Sequence, residues 1–146
     1  MKVVIQRVSS ASVEVDGEVV GLIEMGILVL VAFSAADTKV DIDRMVSRLL
    51  KLRIFDDSAG KMNLSVSDVF GSLLIVSQFT LLADLNKGNR PSFGPAAPPE
   101  QANQLYQLFL KEAMNRYRAD KIQSGQFGAN MQVKLCNDGP VTFVLE

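Results

Sequence analysis

The chain reads as a mixed α/β fold of seven or eight strands and two main helices. Three features predict it: short β-branched runs bounded by turn residues, two longer stretches whose apolar residues recur at helical spacing, and the lack of any internal repeat or linker-like segment. With 146 residues, one compact domain spanning 1–146 is expected. A chain of this size buries roughly 68–70% of the surface its unfolded form exposes, so a sizeable core is available.

Val3 to Val8 and Ser12 to Val15 read as strands, and Asp16-Gly17 as a two-residue hairpin turn into Glu18 to Ile23, which predicts an N-terminal β-meander. After a turn at Met25-Gly26, Ile27 to Phe33 reads as a buried strand. The apolar stretch containing it, Ile27 to Ala36, is far short of the roughly 20 residues a membrane helix needs. Thr38 occupies an N-cap position before a helix over Lys39 to Leu52, with Ile42, Met45, Val46, Leu49 and Leu52 as its apolar stripe. Asp56 to Gly60 reads as a turn and Leu73 to Phe79 as a strand. Ala83 to Pro99 is a long irregular stretch rich in glycine and proline, and a loop of that length is more often functional than idle. Pro99 and Glu100 open a second helix, striped by Ala102, Leu105, Leu108, Phe109, Ala113 and Tyr117. Gln132 to Cys136 and Val141 to Leu145 read as two closing strands.

Composition excludes several classes. With 48% apolar residues, 21% charged residues and a net charge of -1, the chain is neither a disordered tail nor a fibre. Near-neutrality argues against wrapping a long duplex, yet permits a local patch that grips a few nucleotides. A single cysteine, Cys136, excludes an internal disulfide framework, and its apolar strand predicts a buried, inert thiol. No signal-like segment opens the chain, so a cytoplasmic location is expected. The chain contains no histidine. That removes the usual general base near neutral pH, the imidazole of serine and cysteine triads and the commonest zinc ligand. No metal-ligand cluster is visible, and no cofactor is expected. Proton transfer is left to carboxylates, lysines, tyrosines, backbone, water or the substrate.

Four features could carry chemistry. Ser77-Gln78-Phe79-Thr80-Leu81 sets two hydroxyls and an amide where a strand runs into a loop; strand alternation puts Ser77 and Phe79 on one face and Gln78 and Thr80 on the other. These are equally ordinary half-buried strand positions, and a nucleophilic hydroxyl lacks a neighbouring base. Asn137-Asp138-Gly139-Pro140 reads as a hairpin turn; a functional role requires a cis Gly-Pro bond, with glycine letting another group approach the backbone. Arg7 shares strand parity with Val3 and Ile5, so it either snorkels at the strand end or, if buried, holds carbonyls with its five donors. Lys51, Arg53, Lys61, Lys87 and Arg90 form either a modest basic rim or scattered solvated cations.

Together these segments resemble the D-aminoacyl-tRNA deacylases, the homodimeric chiral proofreading enzymes of translation, over essentially the whole chain. The similarity rests on Ile5-Gln6-Arg7-Val8, on Arg53-Ile54-Phe55 through Gly60-Lys61-Met62-Asn63-Leu64, on Ser77 to Leu81, on Arg90-Pro91-Ser92-Phe93, and on Asn137 to Thr142. The resemblance implies a three-layer β/β/α fold, a homodimer with active sites at the subunit interface, and the 3′ acceptor end of aminoacyl-tRNA as partner. It implies that Gly139 and Pro140 of one subunit enter the other's pocket, where their carbonyls engage the α-amino group and leave no room for an L side chain, with Arg7 bracing the loop. It further implies that the 2′-hydroxyl of the terminal adenosine assists hydrolysis, that the Phe79 N–H stabilises developing negative charge, that Gln78 helps position substrate, and that Ser77 and Thr80 orient. The alternatives are a Thr80 or Ser77 nucleophile, a non-catalytic RNA-end-binding module, or a purely structural dimer.

Overall fold

In a computed structural model, whose described residues are 1–86 and 88–146, strand β1 (Lys2–Val15) is the axis of the molecule. One edge of β1 pairs antiparallel with β8 (Gln132–Leu145), from Val3↔Leu145 to Glu14↔Gln132. Its other edge takes β3 (Gly26–Ala32) along Lys2 to Val8 and then β2 (Glu18–Ile23) along Ala11 to Val15. The two N-terminal runs are thus one strand. Ser9 and Ser10 are exposed where the register with β8 shifts, so the lapse in the apolar pattern marks a bulge, not a break. Asp16 (φ 51°) and Gly17 (φ 82°) make the expected type I′ turn.

β3 pairs in parallel with β6 (Ser72–Ser77), and β6 in parallel with β7 (Ile122–Ser124). β4 (Arg53–Asp56) and β5 (Met62–Ser65) form a separate hairpin around the expected turn. The helices are α1 (Lys39–Lys51) and α2 (Pro99–Arg116). Among the described residues no helix is long and apolar enough to cross a membrane.

Strand parity explains the layering. Ile27, Val29, Leu73 and Ile75 point into a core shared with Ile42, Leu49 and Phe109 of the helices. Their neighbours Leu28, Leu74 and Val76 point the other way, into a second core with Val13, Val15 and Ile23. β3 and β6 are therefore buried on both faces, as parallel strands between two layers must be. The outer layer is the far half of β1 with β2, folded across β6 and β7. Gly21 allows this approach, since a Cβ there would lie 2.8 Å from the Ser124 carbonyl oxygen. The three-layer β/β/α arrangement follows.

Asp41 accepts from both the N–H (2.9 Å) and the hydroxyl (2.7 Å) of Thr38, closing the first turn of α1; these bonds hold its carboxyl below the ordinary range. The buried face of α1 is the predicted one, with Leu50 added and Leu52 just past its end. On α2, Ala102, Phe109 and Ala113 are buried as predicted. Tyr106 and Leu110 are buried as well, whereas Leu105, Leu108 and Tyr117 are only half-buried. The true stripe runs 102, 106, 109, 113, slightly rotated from the one read in sequence. Phe109 meets Phe33 edge-on at 6.1 Å, and Phe109→Ala at such a buried site costs about 3–5 kcal/mol.

Candidate active site

β6 ends at Ser77, and the chain turns at once into a 3-10 segment, Phe79–Leu82. The predicted strand through Phe79 is thus two residues too long, and strand alternation beyond Ser77 does not apply. The reason lies in the ladder. Gln78 N–H donates to the Val31 carbonyl (2.8 Å) as the last bond to β3, and then Leu81 N–H to Gln78 O (3.2 Å) and Ala83 N–H to Thr80 O (3.1 Å) close the turn. Phe79 sits at the first position of this turn, where a helical segment leaves its N–H unused. Among the described residues that N–H meets no acceptor. Gln78 Nε2 donates to Thr80 Oγ1 at 2.5 Å, locking the amide over the turn.

This turn forms one wall of a cavity of about 720 Å³ at the C-terminal ends of β3 and β6, the usual place for ligands in open α/β sheets. Phe33, Phe93, Pro98, Phe127 and Met131 supply apolar walls; Ser77, Gln78 and Phe79 line it, while Thr80 does not. Paired bonds between Asp84 and Ser92 (2.7 and 3.0 Å) pinch the long loop and bring Phe93 against Phe79, ring centroids 4.9 Å apart at 61°. The Phe79 ring remains 54% exposed at the rim. Among the described residues, none that lines the cavity carries an ionisable side chain.

Both tyrosines, candidate bases by residue type, are engaged with backbone carbonyls. Burial pushes the Tyr106 phenol up to about 12, and its hydroxyl donates to Ile75 O (2.8 Å). Burial also raises Tyr117, which donates to Gly71 O (2.8 Å). These are the only two tyrosines in the chain. Neither the Ser77 nor the Thr80 hydroxyl has a carboxylate or amine partner among the described residues.

Arg7, Gly139 and Pro140 assemble elsewhere. β8 is one strand, not the two predicted. Its pairing with β1 jumps from Val8↔Asn137 to Gln6↔Thr142, so the four residues 138–141 bulge opposite Arg7 alone. The Asn137 side chain ties the bulge: Oδ1 accepts from Val141 N–H (2.9 Å) and Nδ2 donates to Thr142 Oγ1 (3.2 Å). The Gly139–Pro140 bond is cis, both residues are exposed, and Gly139 has φ 148°. Arg7 is buried, 6% exposed, rather than snorkelled. Its Nε donates to Asp138 O (2.9 Å) and its Nη1 to Ile54 O (2.8 Å), with Asp56 and Asp138 carboxylates at 3.3 and 3.4 Å. Those ion pairs reach half-exposed carboxylates and contribute little; the carbonyl bonds fix the loop.

The sequence-predicted residues therefore fall into two separate groups in the chain. Arg7 lies level with Ile27 on β3, Ser77 with Val31, a separation of four residues or about 13 Å along the strands. Cys136, expected to be buried, is exposed, because β8 turns that stretch to the surface. Lys51 and Arg53 line a common second hollow, Lys61 and Arg90 lie apart on the surface, and Lys87 is outside the described residues. Sequence reading did not single out Phe127 and Met131. The one signal for them was an aromatic between Gly125 and Gly128.

Residues 4–146 match the family described as D-Tyr-tRNA(Tyr) deacylase. The D-aminoacyl-tRNA deacylase of Ectopseudomonas mendocina is 54% identical over 146 residues, covering 100% of this chain and 99% of its own; that of Thermosipho africanus is 53% identical, covering 100% and 97%. Among solved structures, the c-Myc DNA Unwinding Element Binding Protein superposes with a TM-score of 0.96 at 48% identity, covering 100% of this chain and 98% of that one. A probable eukaryotic D-amino acid tRNA deacylase, at 20% identity, shares the fold with a TM-score of 0.85 over 99% and 97%. With family match and half-identical relatives both running the length of the fold, this chain belongs to the D-aminoacyl-tRNA deacylase family.

Proposed function

We propose that this hydrolase cleaves the ester bond of D-aminoacyl-tRNA to free D-amino acid and tRNA by an RNA-assisted route, in the cytoplasm where aminoacyl-tRNA is used. The observation that carries the reading is a cavity lined, among the described residues, by no ionisable side chain and presenting an uncommitted backbone N–H, that of Phe79. An aminoacyl ester is already activated, so orientation and charge stabilisation are the main requirements. The 2′-hydroxyl of the terminal adenosine orients a water for attack on the ester carbonyl. The resulting oxyanion accepts from Phe79 N–H. As the intermediate collapses, the proton of the attacking water passes through the 2′-hydroxyl to the departing 3′-oxygen. Gln78 positions the substrate, while Ser77 and Thr80 shape the turn.

Handedness is judged by main chain. Carbonyls at Gly139 and Pro140 accept from the substrate's α-ammonium, and the space an L side chain needs is filled by the loop that Arg7 braces. Because the two groups of residues are separated within a protomer, a second copy of the chain completes each site. The outer edge of β8, unpaired among the described residues and bordered by exposed Leu135, Phe143 and Val144, supports such a homodimer. The test is paired deacylation of one tRNA charged with the D or the L form of the same amino acid. Release from the D form alone is expected; equal release overturns the chiral reading, and release from neither overturns the enzymatic one.

A further inference from the structure

The second hollow, about 520 Å³, is open and lies where the end of α1 meets the β4–β5 hairpin. Three cations line it, and their commitments differ. Arg116 is engaged by Glu112 and, at 3.8 Å, by Asp43. Arg53 bonds only to neutral groups, the backbone carbonyl (2.8 Å) and side-chain amide of Asn63, and Lys51 has no partner among the described residues. The one carboxylate in the lining, Asp68, accepts from the N–H and hydroxyl of Ser65, both at 2.7 Å. Ser47 and Ser67 add hydroxyls. Arg53 stands within reach of the Asp68 charge, whereas Lys51 meets no carboxylate among the described residues; two cations beside the Ser47 and Ser67 hydroxyls match a nucleic-acid backbone.

Position names the partner. Arg53 precedes Ile54, whose carbonyl is bonded to Arg7, and Arg7 is bonded to the carbonyl of Asp138, beside Gly139. The hollow is therefore linked by consecutive bonds to the loop that, on the reading above, covers the acceptor end in the partner's cavity. Resting on that reading, we propose that Lys51 and Arg53 form a second contact, gripping backbone phosphates of the same tRNA away from its 3′ end.

The test compares full-length D-aminoacyl-tRNA with the same D-amino acid esterified to a CCA trinucleotide. Lys51→Gln/Arg53→Gln is expected to raise KM for the full-length substrate about tenfold, to lower the slope of log KM against log salt by about one to two, and to leave kcat and the trinucleotide reaction unchanged. Lys51→Gln alone, which disturbs no recorded bond, should move in the same direction if the double variant misfolds. An unchanged KM for full-length substrate, or an equal loss on both substrates, overturns the proposal. Should wild-type protein hydrolyse neither substrate, the deacylase reading fails on its own. Binding of uncharged tRNA then decides the hollow, weakened in the variants if the contact exists and equal to wild type if it does not.

Discussion

Arg7 Nε donates to the carbonyl oxygen of Asp138 at 2.9 Å, across the gap where β8 bulges away from β1. A buried guanidinium on one strand thus fixes the peptide that leads into Gly139 on another. Truncation to Arg7→Ala leaves the carbonyls of Ile54 and Asp138 without their donor, at about 1–3 kcal/mol for each group that stays buried. Arg7→Lys keeps the charge but loses the fork. The lysine variant is expected to stay folded by circular dichroism and to lose roughly tenfold in D-over-L discrimination, equivalent to about 1.4 kcal/mol in the loop's placement. Wild-type discrimination in this variant would remove Arg7 from the account.

Gly139→Ala probes the loop itself. At φ 148° an L residue is strained, and the added Cβ would lie 2.6 Å from both the nitrogen and Cγ2 of Val141. The backbone must move, so hydrolysis of L-aminoacyl-tRNA should emerge while the fold, read by thermal denaturation, persists. Folded protein with an unchanged D-to-L rate ratio would count against the main-chain filter.

Hydroxyl deletions distinguish the two chemistries. Ser77 and Thr80 lack a basic partner among the described residues, and Thr80 Oγ1 is occupied by Gln78 Nε2. Ser77→Ala and Thr80→Ala are therefore expected to keep kcat within about tenfold of wild type in single-turnover assays. Loss of a true nucleophile removes on the order of 10⁴–10⁶ in kcat, and such a loss in a folded variant would favour covalent catalysis.

Much of this was legible in the sequence wherever a local rule coincided with the tertiary outcome. Asp16-Gly17 fixed a turn type, and Ile42 through Leu49 fixed a helix face, because each depends on neighbours in sequence. The failures share one cause, partners distant in sequence. Gln78 leaves the strand because its ladder ends at Val31, and β8 is continuous because β1 pairs with it on both sides of the bulge. Cys136 is exposed beside Leu135 at the end of an apolar run whose Val133 packs inward. Within the site, the motifs at Ser77 to Leu81 and Asn137 to Thr142 were readable as strings, but their separation in the folded chain was not. Phe127 and Met131 reach the cavity through a glycine-flanked segment with no periodicity to mark it.

The most direct test of the central claim uses tRNA whose terminal adenosine lacks the 2′-hydroxyl, charged at the 3′-oxygen with a D-amino acid. If a cavity lined by no ionisable group among the described residues relies on the RNA for proton transfer, hydrolysis should fall by at least about 10²-fold, in the range of a lost acid–base group, while binding of the modified tRNA stays within a few-fold. Full-speed turnover of the 2′-deoxy substrate would contradict the account.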